Sequence, residues 1–465
     1  MRRINVITYH LRHVALLLAT VLLTACASQQ EPVSPPVNLP ETFSQSGELP
    51  TPKRWWTAFD DERLNTLIDQ ALERNLSLKA TYQRLQQARA VVDREAAGLF
   101  PTVNASAGAE RRETDTTDID TFSAELSADY EVDLWGRVRA QVEAEEFRAR
   151  ASLADYQAAS LSLAGEVSTT WFRILAQRAQ QQLAQSQRQT NQDILTLIES
   201  RFASGLSDSA DVLRQRQLVA ASQERLVNVE AERRVLEHQL ALLLGQPPAG
   251  STPPEGATLP ELPPLPDTGL PLALVQRRPD LEQAFRQLQA ADAELAAAIS
   301  NRFPRLTLSA STASQARSTD ELFTDWLSTL AGNLILPLID GGQRRAEVER
   351  QRSLREQRLY EYGQATLTAI QEVEDALVQE QQERQRIESL EQQIALSETT
   401  IQQLRLRYFN GSANYIDVLN ALQEGQDLRR TLITAHQQLL GFRVALYRAL
   451  AGSIETSPME IGDKA

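Results

Sequence analysis

Residues 201–213 read Arg201-Phe202-Ala203-Ser204-Gly205-Leu206-Ser207-Asp208-Ser209-Ala210-Asp211-Val212-Leu213. Residues 407–419 read Arg407-Tyr408-Phe409-Asn410-Gly411-Ser412-Ala413-Asn414-Tyr415-Ile416-Asp417-Val418-Leu419. An arginine, an aromatic, a glycine and Asp-Val-Leu recur at one constant offset. In each copy a long heptad-like helix ends at the glycine, Gly205 or Gly411, which can take the left-handed C-cap conformation denied to most residues. A new helix begins two or three residues on. Asp208 or Asn414 falls at an N-cap position, and Asp211 or Asp417 follows three residues later, where a carboxylate meets free N–H groups and the positive dipole end. Each stretch reads as the tip of a helical hairpin, and the chain has two.

The text around both tips repeats as well. Before the first tip, a helical stretch starts at Trp135-Gly136-Arg137 and runs for roughly seventy residues, on the order of 100 Å at 1.5 Å per residue. A shorter helix returns over 211–244. Upstream, the period changes from helical to alternating: Phe122, Ala124, Leu126, Ala128, Tyr130, Val132 and Leu134 interleave with Ser123, Glu125, Ser127, Asp129, Glu131 and Asp133, a strand with one apolar and one carboxylate-bearing face. Its expected partner is 102–109, with a polar loop over 111–121. Phe100, Tyr130 and Trp135 flank the pair, as aromatics do at membrane interfaces. An amphipathic helix begins near Leu64 and is stopped by Phe100-Pro101.

After a proline-rich linker the order starts again. A helix over 272–302 ends at Phe303-Pro304, and strands follow at 306–311 and 326–338 around a polar loop, 315–325. Asp340-Gly341-Gly342 then opens a second long helix to Phe409. Its lower part carries a narrow heptad stripe, Ile387, Leu390, Ile394, Ile401, Leu404 and Tyr408, with Ser397 the one polar slot. Glu380 and Glu383 fall on slots further up. A helix with so thin a seam borders water on both sides and is a wall rather than a core element.

This organisation gives a fold class and boundaries. The chain reads as mainly α with a β part that fits a half-exposed soluble hairpin as well as a membrane sheet, built as two repeats. Residues 1–25 read as a signal peptide and 26–61 as an extended tether. Repeat 1 is 62–245, with its β-hairpin at 101–134 and tip near 205. The linker is 246–271. Repeat 2 is 272–452, with its β-hairpin at 304–339 and tip near 411, and 453–465 is a tail.

Composition agrees with extended helices. Only 6 % of the 465 residues are aromatic and 23 % are charged, and the formal net charge of −14 argues against a nucleic-acid partner. The single cysteine is Cys26. Arg2, Arg3 and Arg12 precede an apolar run, 14–23, and then Leu23-Thr24-Ala25-Cys26, the layout of a secretory signal. Leu-Thr-Ala-Cys also resembles the bacterial lipobox, whose cysteine becomes lipidated, and Ala27 in place of aspartate implies delivery to the outer membrane. No later apolar run is long enough for a membrane helix.

The strands impose an assembly. Two hairpins supply four strands, too few to close a membrane barrel, and an open edge in lipid leaves backbone groups unpaired at several kcal/mol each. If the strands enter a bilayer, copies must pool them.

Taken with Trp55-Trp56 and Phe59, Leu64-Asn65, Asp133-Leu134-Trp135-Gly136-Arg137, Arg277-Arg278-Pro279-Asp280-Leu281, Phe303-Pro304, Asp340-Gly341-Gly342 and both tips, the chain resembles the outer-membrane efflux channel lipoproteins of the TolC/OprM/NodT family over essentially its whole mature length. The resemblance implies a homotrimer whose twelve-stranded outer-membrane barrel continues into a long α-helical periplasmic barrel. It also implies lipid anchoring at Cys26, and docking to a periplasmic adaptor and an inner-membrane RND-type pump in a Gram-negative bacterium. The expected activity is passive conduction of drugs or other small molecules to the exterior.

The same resemblance assigns the tips to a periplasmic gate. Asp417 matches an aspartate placed as a ring around the pore, and Tyr408 and Asp211 match partners in the closing network. Asn420 and Ala413 stand where TolC itself has an acid and an arginine, so this gate depends less on charge pairing and is nearer the OprM branch. The rival account of Asp211 and Asp417 is simple helix capping. Catalysis, cofactors and metals find no support: His238 and His436 lie in helical text, and no nucleophile elbow, phosphate loop or metal-spaced cluster occurs. Two alternatives share the sequence features, a protein-secretion duct of the same fold and an adaptor-type coiled-coil lipoprotein.

Overall fold

Four kinds of element recur in order on either side of the linker: a broken helix, a β-hairpin, a very long helix and a shorter returning one. The structure, a computed structural model, describes residues 35–248, 258–452 and 454. Residues from Val37 onward form the unit described below. The first set is α1 (Glu62–Arg74), α2 (Leu76–Ala96), β1 (Thr102–Thr114), β2 (Thr117–Val132), α3 (Arg137–Ala203) and α4 (Ser209–Leu243). The second is α5 (Pro271–Arg277), α6 (Pro279–Ser300), β3 (Arg305–Ala316), β4 (Leu327–Ile335), α7 (Gln343–Phe409) and α8 (Tyr415–Leu450).

Both early helices are broken where periodicity suggests one. Asn75 leaves the helix after α1, accepts from the Leu78 N–H at 2.9 Å as the cap of α2, and donates its amide to Leu243 O at 2.9 Å. In the second set Pro279, which has no N–H to give, opens α6 after Arg278. The Arg278 guanidinium then reaches Asp280 at 2.6 Å, Glu372 of α7 at 2.7 Å and the Ala449 carbonyl of α8 at 3.3 Å. The Arg-Pro-Asp text thus ties three helices together. In the first set the apolar spacing hides the break because Leu64, Ile68 and Ala71 before it and Leu78 after it face the same core.

The four strands form one antiparallel sheet in the order β1-β2-β3-β4. Pairing of β2 with β3, from Phe122↔Ala316 to Val132↔Leu306, fuses the two repeats. Register sorts the side chains cleanly. Val132 lies in one row with Leu306 and Leu334, and Ala128 with Val103, Ala310 and Leu330, whereas Asp129 lies with Thr102, Ser309 and Ala331 on the opposite face. One face is an apolar band and the other carries Glu125, Asp129 and Glu131 among serines and threonines. The segment 111–121, expected as a loop, is strand: β1 and β2 stay paired to Thr114↔Thr117 around a two-residue turn. Backbone ladders need no apolar side chains, and the Arg111–Asp120 pair at 3.4 Å bridges the strands there. Strand β4, by contrast, ends at Ile335, short of 338.

Below the sheet, Trp135 stacks on Phe303 at 5.0 Å and donates its indole N–H to Pro304 O at 2.7 Å, pinning the exit of one hairpin to the entrance of the other. The main core lies midway along the long helices. Trp55, Trp56 and Phe59 pack there with Trp171, Phe172 and Tyr447. Arg443, fully buried on α8, pairs with Glu380 of α7 at 2.7 Å and donates to the carbonyls of Pro263 and Pro264 (2.7 Å to the latter), stapling the linker to the wall. Its need for a partner explains why Glu380 occupies a seam slot. Both α3 and α7 are 67 residues long, about 100 Å each.

Candidate functional site

Each hairpin tip is closed by the same backbone device. Gly205 has φ +70 and Gly411 φ +74, and a Cβ at either would meet nothing within 4 Å, so the glycine is required by backbone conformation and not by crowding. The Leu206 N–H returns to Arg201 O at 2.8 Å and the Gly205 N–H to Phe202 O at 3.0 Å. Ser412 to Arg407 O at 2.8 Å and Gly411 to Tyr408 O at 3.0 Å repeat the pattern. Both are complete Schellman motifs. The helix starts diverge. Asp208 caps α4 by accepting from the Asp211 N–H at 2.9 Å, whereas the Asn414 side chain makes no cap bond and the Asp417 N–H returns to the Asn414 carbonyl at 3.2 Å.

Matching text does not give matching surroundings. Phe202 is exposed, but its counterpart Tyr408 is buried against the first tip. The Arg201 guanidinium lies over the Tyr408 ring at 4.9 Å and over Phe409 at 5.5 Å. The Tyr408 hydroxyl donates to Ser207 Oγ at 3.4 Å, and Ser207 donates in turn to Asp211 Oδ2 at 3.0 Å. Arg214 completes the chain with a 3.4 Å pair to Asp211. Tyr408 and Asp211, singled out in the sequence, are therefore brought together through a serine. Asp417 is not part of this set: it is exposed in the first turn of α8, and among the described residues its carboxylate has no cation beside it. Cys26 lies outside the described residues.

A second layer lies behind the tips. Tyr415 packs beside Tyr408 with the rings tilted at 53° and their centroids 5.5 Å apart, and donates its hydroxyl to Gln215 Oε1. Burial, with the nearby Tyr408 and Asp211, pushes the Tyr415 phenol well above its ordinary value, so it remains a donor. Around these polar groups an apolar cluster joins the hairpins: Leu195 and Ile198 of α3, Val212 and Leu218 of α4, Leu419 and Leu422 of α8. The roles of Ser207, Arg201 and Gln215 toward Tyr408 and Tyr415 carry no local signal in the sequence, because those two tyrosines lie about two hundred residues away. The repeated motif marks the tips but does not pair them.

Chemically, the arrangement offers adhesion between helices. No group of histidines, cysteines and carboxylates among the described residues is set to hold a metal. No described helix is long and apolar enough to cross a membrane.

Residues 67–246 and 270–452 match the model of a family described as outer membrane efflux protein. The chain is similar to the pyoverdine export outer membrane protein OpmQ of Pseudomonas aeruginosa, at 30 % identity over 98 % of this chain and 99 % of that protein. It is 25 % identical to the cation efflux system protein CusC of Escherichia coli, over 92 % of this chain and 97 % of that one. A solved structure of the outer-membrane channel OprN superposes with a TM-score of 0.84 at 27 % identity, covering 92 % of this chain and 99 % of that chain.

Proposed function

The chain belongs to the outer membrane efflux protein family, and on that premise we propose that it is the exit duct of a tripartite efflux system, passing small molecules from an inner-membrane pump and periplasmic adaptor to the outside. As a member of that family it is an outer-membrane transport channel and not an enzyme. The observation that carries the finer reading is the sheet: one apolar face, one carboxylate-bearing face and two unpaired edges, β1 and β4, on a wall of helices about 100 Å long. Since β1 and β4 run antiparallel, β4 of one copy can pair with β1 of the next, and three copies give a closed barrel of twelve strands.

The helices favour the same ring. Leu213, Val227, Val235 and Leu242 form an exposed apolar stripe along α4, and Tyr360, Leu367, Val378 and Leu396 form another along α7. The two stripes belong to different elements, so their contact is head-to-tail, the kind that closes rings. In this assembly Tyr408, Asp211 and their serine form the resting closure at the periplasmic end, and the Asp417 carboxylates gather at the mouth, attracting cations. Cys26 carries the lipid anchor.

The cargo is a small molecule selected by the pump. The names of similar proteins speak of pyoverdine export and of cation efflux, a range that fits a passive duct. With Cys26 lipidated and only Met1 and Met459 in the chain, soft Cu(I) ligands are missing, which favours organic cargo. The test is expression, together with an adaptor and an RND-type pump, in a Gram-negative host stripped of its own efflux channels. Restored resistance to dyes and antibiotics, with a detergent-extracted trimer, is the expected result. A stably folded, detergent-free monomer would overturn the reading.

A further inference from the structure

We infer that Tyr415, Gln215, Asn191 and Gln426 form an uncharged second latch, set behind the tip, that fixes the register between the two helical hairpins of one copy. The inference rests on the reading of the tips as the closable end of the duct. Its members come from three helices and both repeats. The Tyr415 hydroxyl of α8 donates to Gln215 Oε1 of α4, and the Gln215 amide donates to Asn191 O of α3 at 2.6 Å. The Asn191 amide donates to Ser222 Oγ of α4 at 2.7 Å, while Gln426 of α8 donates to Asn191 Oδ1 at 3.1 Å. Gln215 and Asn191 have no exposed surface, and Tyr415 only 3 %.

Such groups are costly in a helical seam unless each is satisfied, and none of these side chains is left with a buried atom unpaired. Replacing them by leucines would extend the neighbouring apolar cluster without interruption. Apolar contact is non-directional and tolerates sliding, whereas buried hydrogen bonds hold one alignment and penalise every other. Asn191 is the hub, since its side chain meets α4 and α8 at once. The chain of bonds contains no carboxylate, amine or guanidinium, unlike the outer set of Asp211, Arg214 and Arg201. Salt, which shortens the reach of exposed charges from about 10 Å at 0.1 M to about 3 Å at 1 M, therefore weakens the outer set and leaves the inner one untouched.

The experiment uses assembled, full-length channels in planar bilayers, with conductance normalised to bulk conductivity at low and high potassium chloride. Tyr415→Phe raises the open fraction by about fivefold, the factor a single buried hydrogen bond confers on a two-state equilibrium; Asn191→Leu, which loses two, raises it further, and both do so equally at both salt levels. The double variant Tyr415→Phe/Gln215→Leu removes both partners. Its melting temperature returns toward wild type but its leak persists. Recovery of both together means the bonds serve only stability and overturns the latch. Wild-type conductance in Tyr415→Phe while Tyr408→Ala leaks overturns the latch and keeps the tip as gate. If Tyr408→Ala and Asp211→Ala are also tight, both readings fall.

Discussion

Tyr408 and Asp417 show how one residue pattern can serve two ends. Tyr408 is buried between Arg201 and Ser207 of the other repeat, whereas Asp417 faces solvent in its own first turn. Tyr408→Ala removes a packed ring and a cross-repeat bond, and in the proposed ring of copies Asp417→Ala removes the carboxylates that hold cations at the mouth. Both are expected to raise single-channel conductance or antibiotic leak, and wild-type values at wild-type protein levels would remove these residues from the gate. A pH prediction belongs to the helix starts. Burial acts to raise the Asp133 carboxyl, but hydrogen bonds from the Arg139 and Val138 N–H groups and the Arg139 side chain outweigh it and hold it below its ordinary value. The Gly342 N–H, aided by Arg344, lowers Asp340 likewise. A depressed folded pKa gives stabilisation that is complete above the unfolded value of about 3.9 and is lost as pH falls through the folded one. Amide protection factors, which correct for the intrinsic pH dependence of exchange, should thus be flat in the first turns of α3 and α7 from neutrality to about pH 5 and fall only below about pH 4, and Asp133→Asn should abolish the acid step in α3. Capping by Asp208 was legible from spacing alone. The failure of Asn414 to cap was not, because the same N–H finds a backbone carbonyl that no residue pattern reveals.

Among elements, the long helices announced themselves through heptads, and the notch in one seam now has a physical cause. Ser397, the polar slot of the α7 stripe, faces Gly425 of α8; a Cβ on that glycine would stand 2.7 Å from Ser397 Oγ and 3.1 Å from Ile401 Cδ1. The helices approach closely there because both side chains are small. Gly425→Ala should destabilise the α7/α8 pair by about 1–3 kcal/mol through overpacking, and adding Ser397→Ala should recover part of it, measured as melting temperature of the purified assembly. No recovery would mean that Ile401 alone sets the spacing. The β1–β2 extension over 111–121 escaped the sequence reading because alternation reports burial, and a two-stranded ribbon exposed on both faces has none to report.

For the whole molecule, sequence reaches the two-fold repetition and the need for partner copies, while the β2–β3 junction that merges both hairpins into one sheet appears only in three dimensions. Register then separates two substitutions that composition treats alike. Leu330→Arg, on the apolar face, should cost about 2–4 kcal/mol in lipid and reduce the heat-modifiable oligomer on gels. Ser309→Arg, on the carboxylate face, should leave assembly intact and change ion selectivity. Equal losses from both would mean that the faces are misassigned. One further property follows from the hairpin connectivity. Among the described residues every strand pair goes out and comes back, so the sheet enters and leaves the bilayer from one side and carries two turns across. The first ends in Asp115-Thr116 and is crowded with Glu113, Asp118 and Asp120, side chains that do not readily recross oil once hydrated on the far side. They would act as a barb. An epitope inserted between Asp115 and Thr116 should accordingly be reached by antibody on intact cells, and one inserted beside Gly205 only after the envelope is opened.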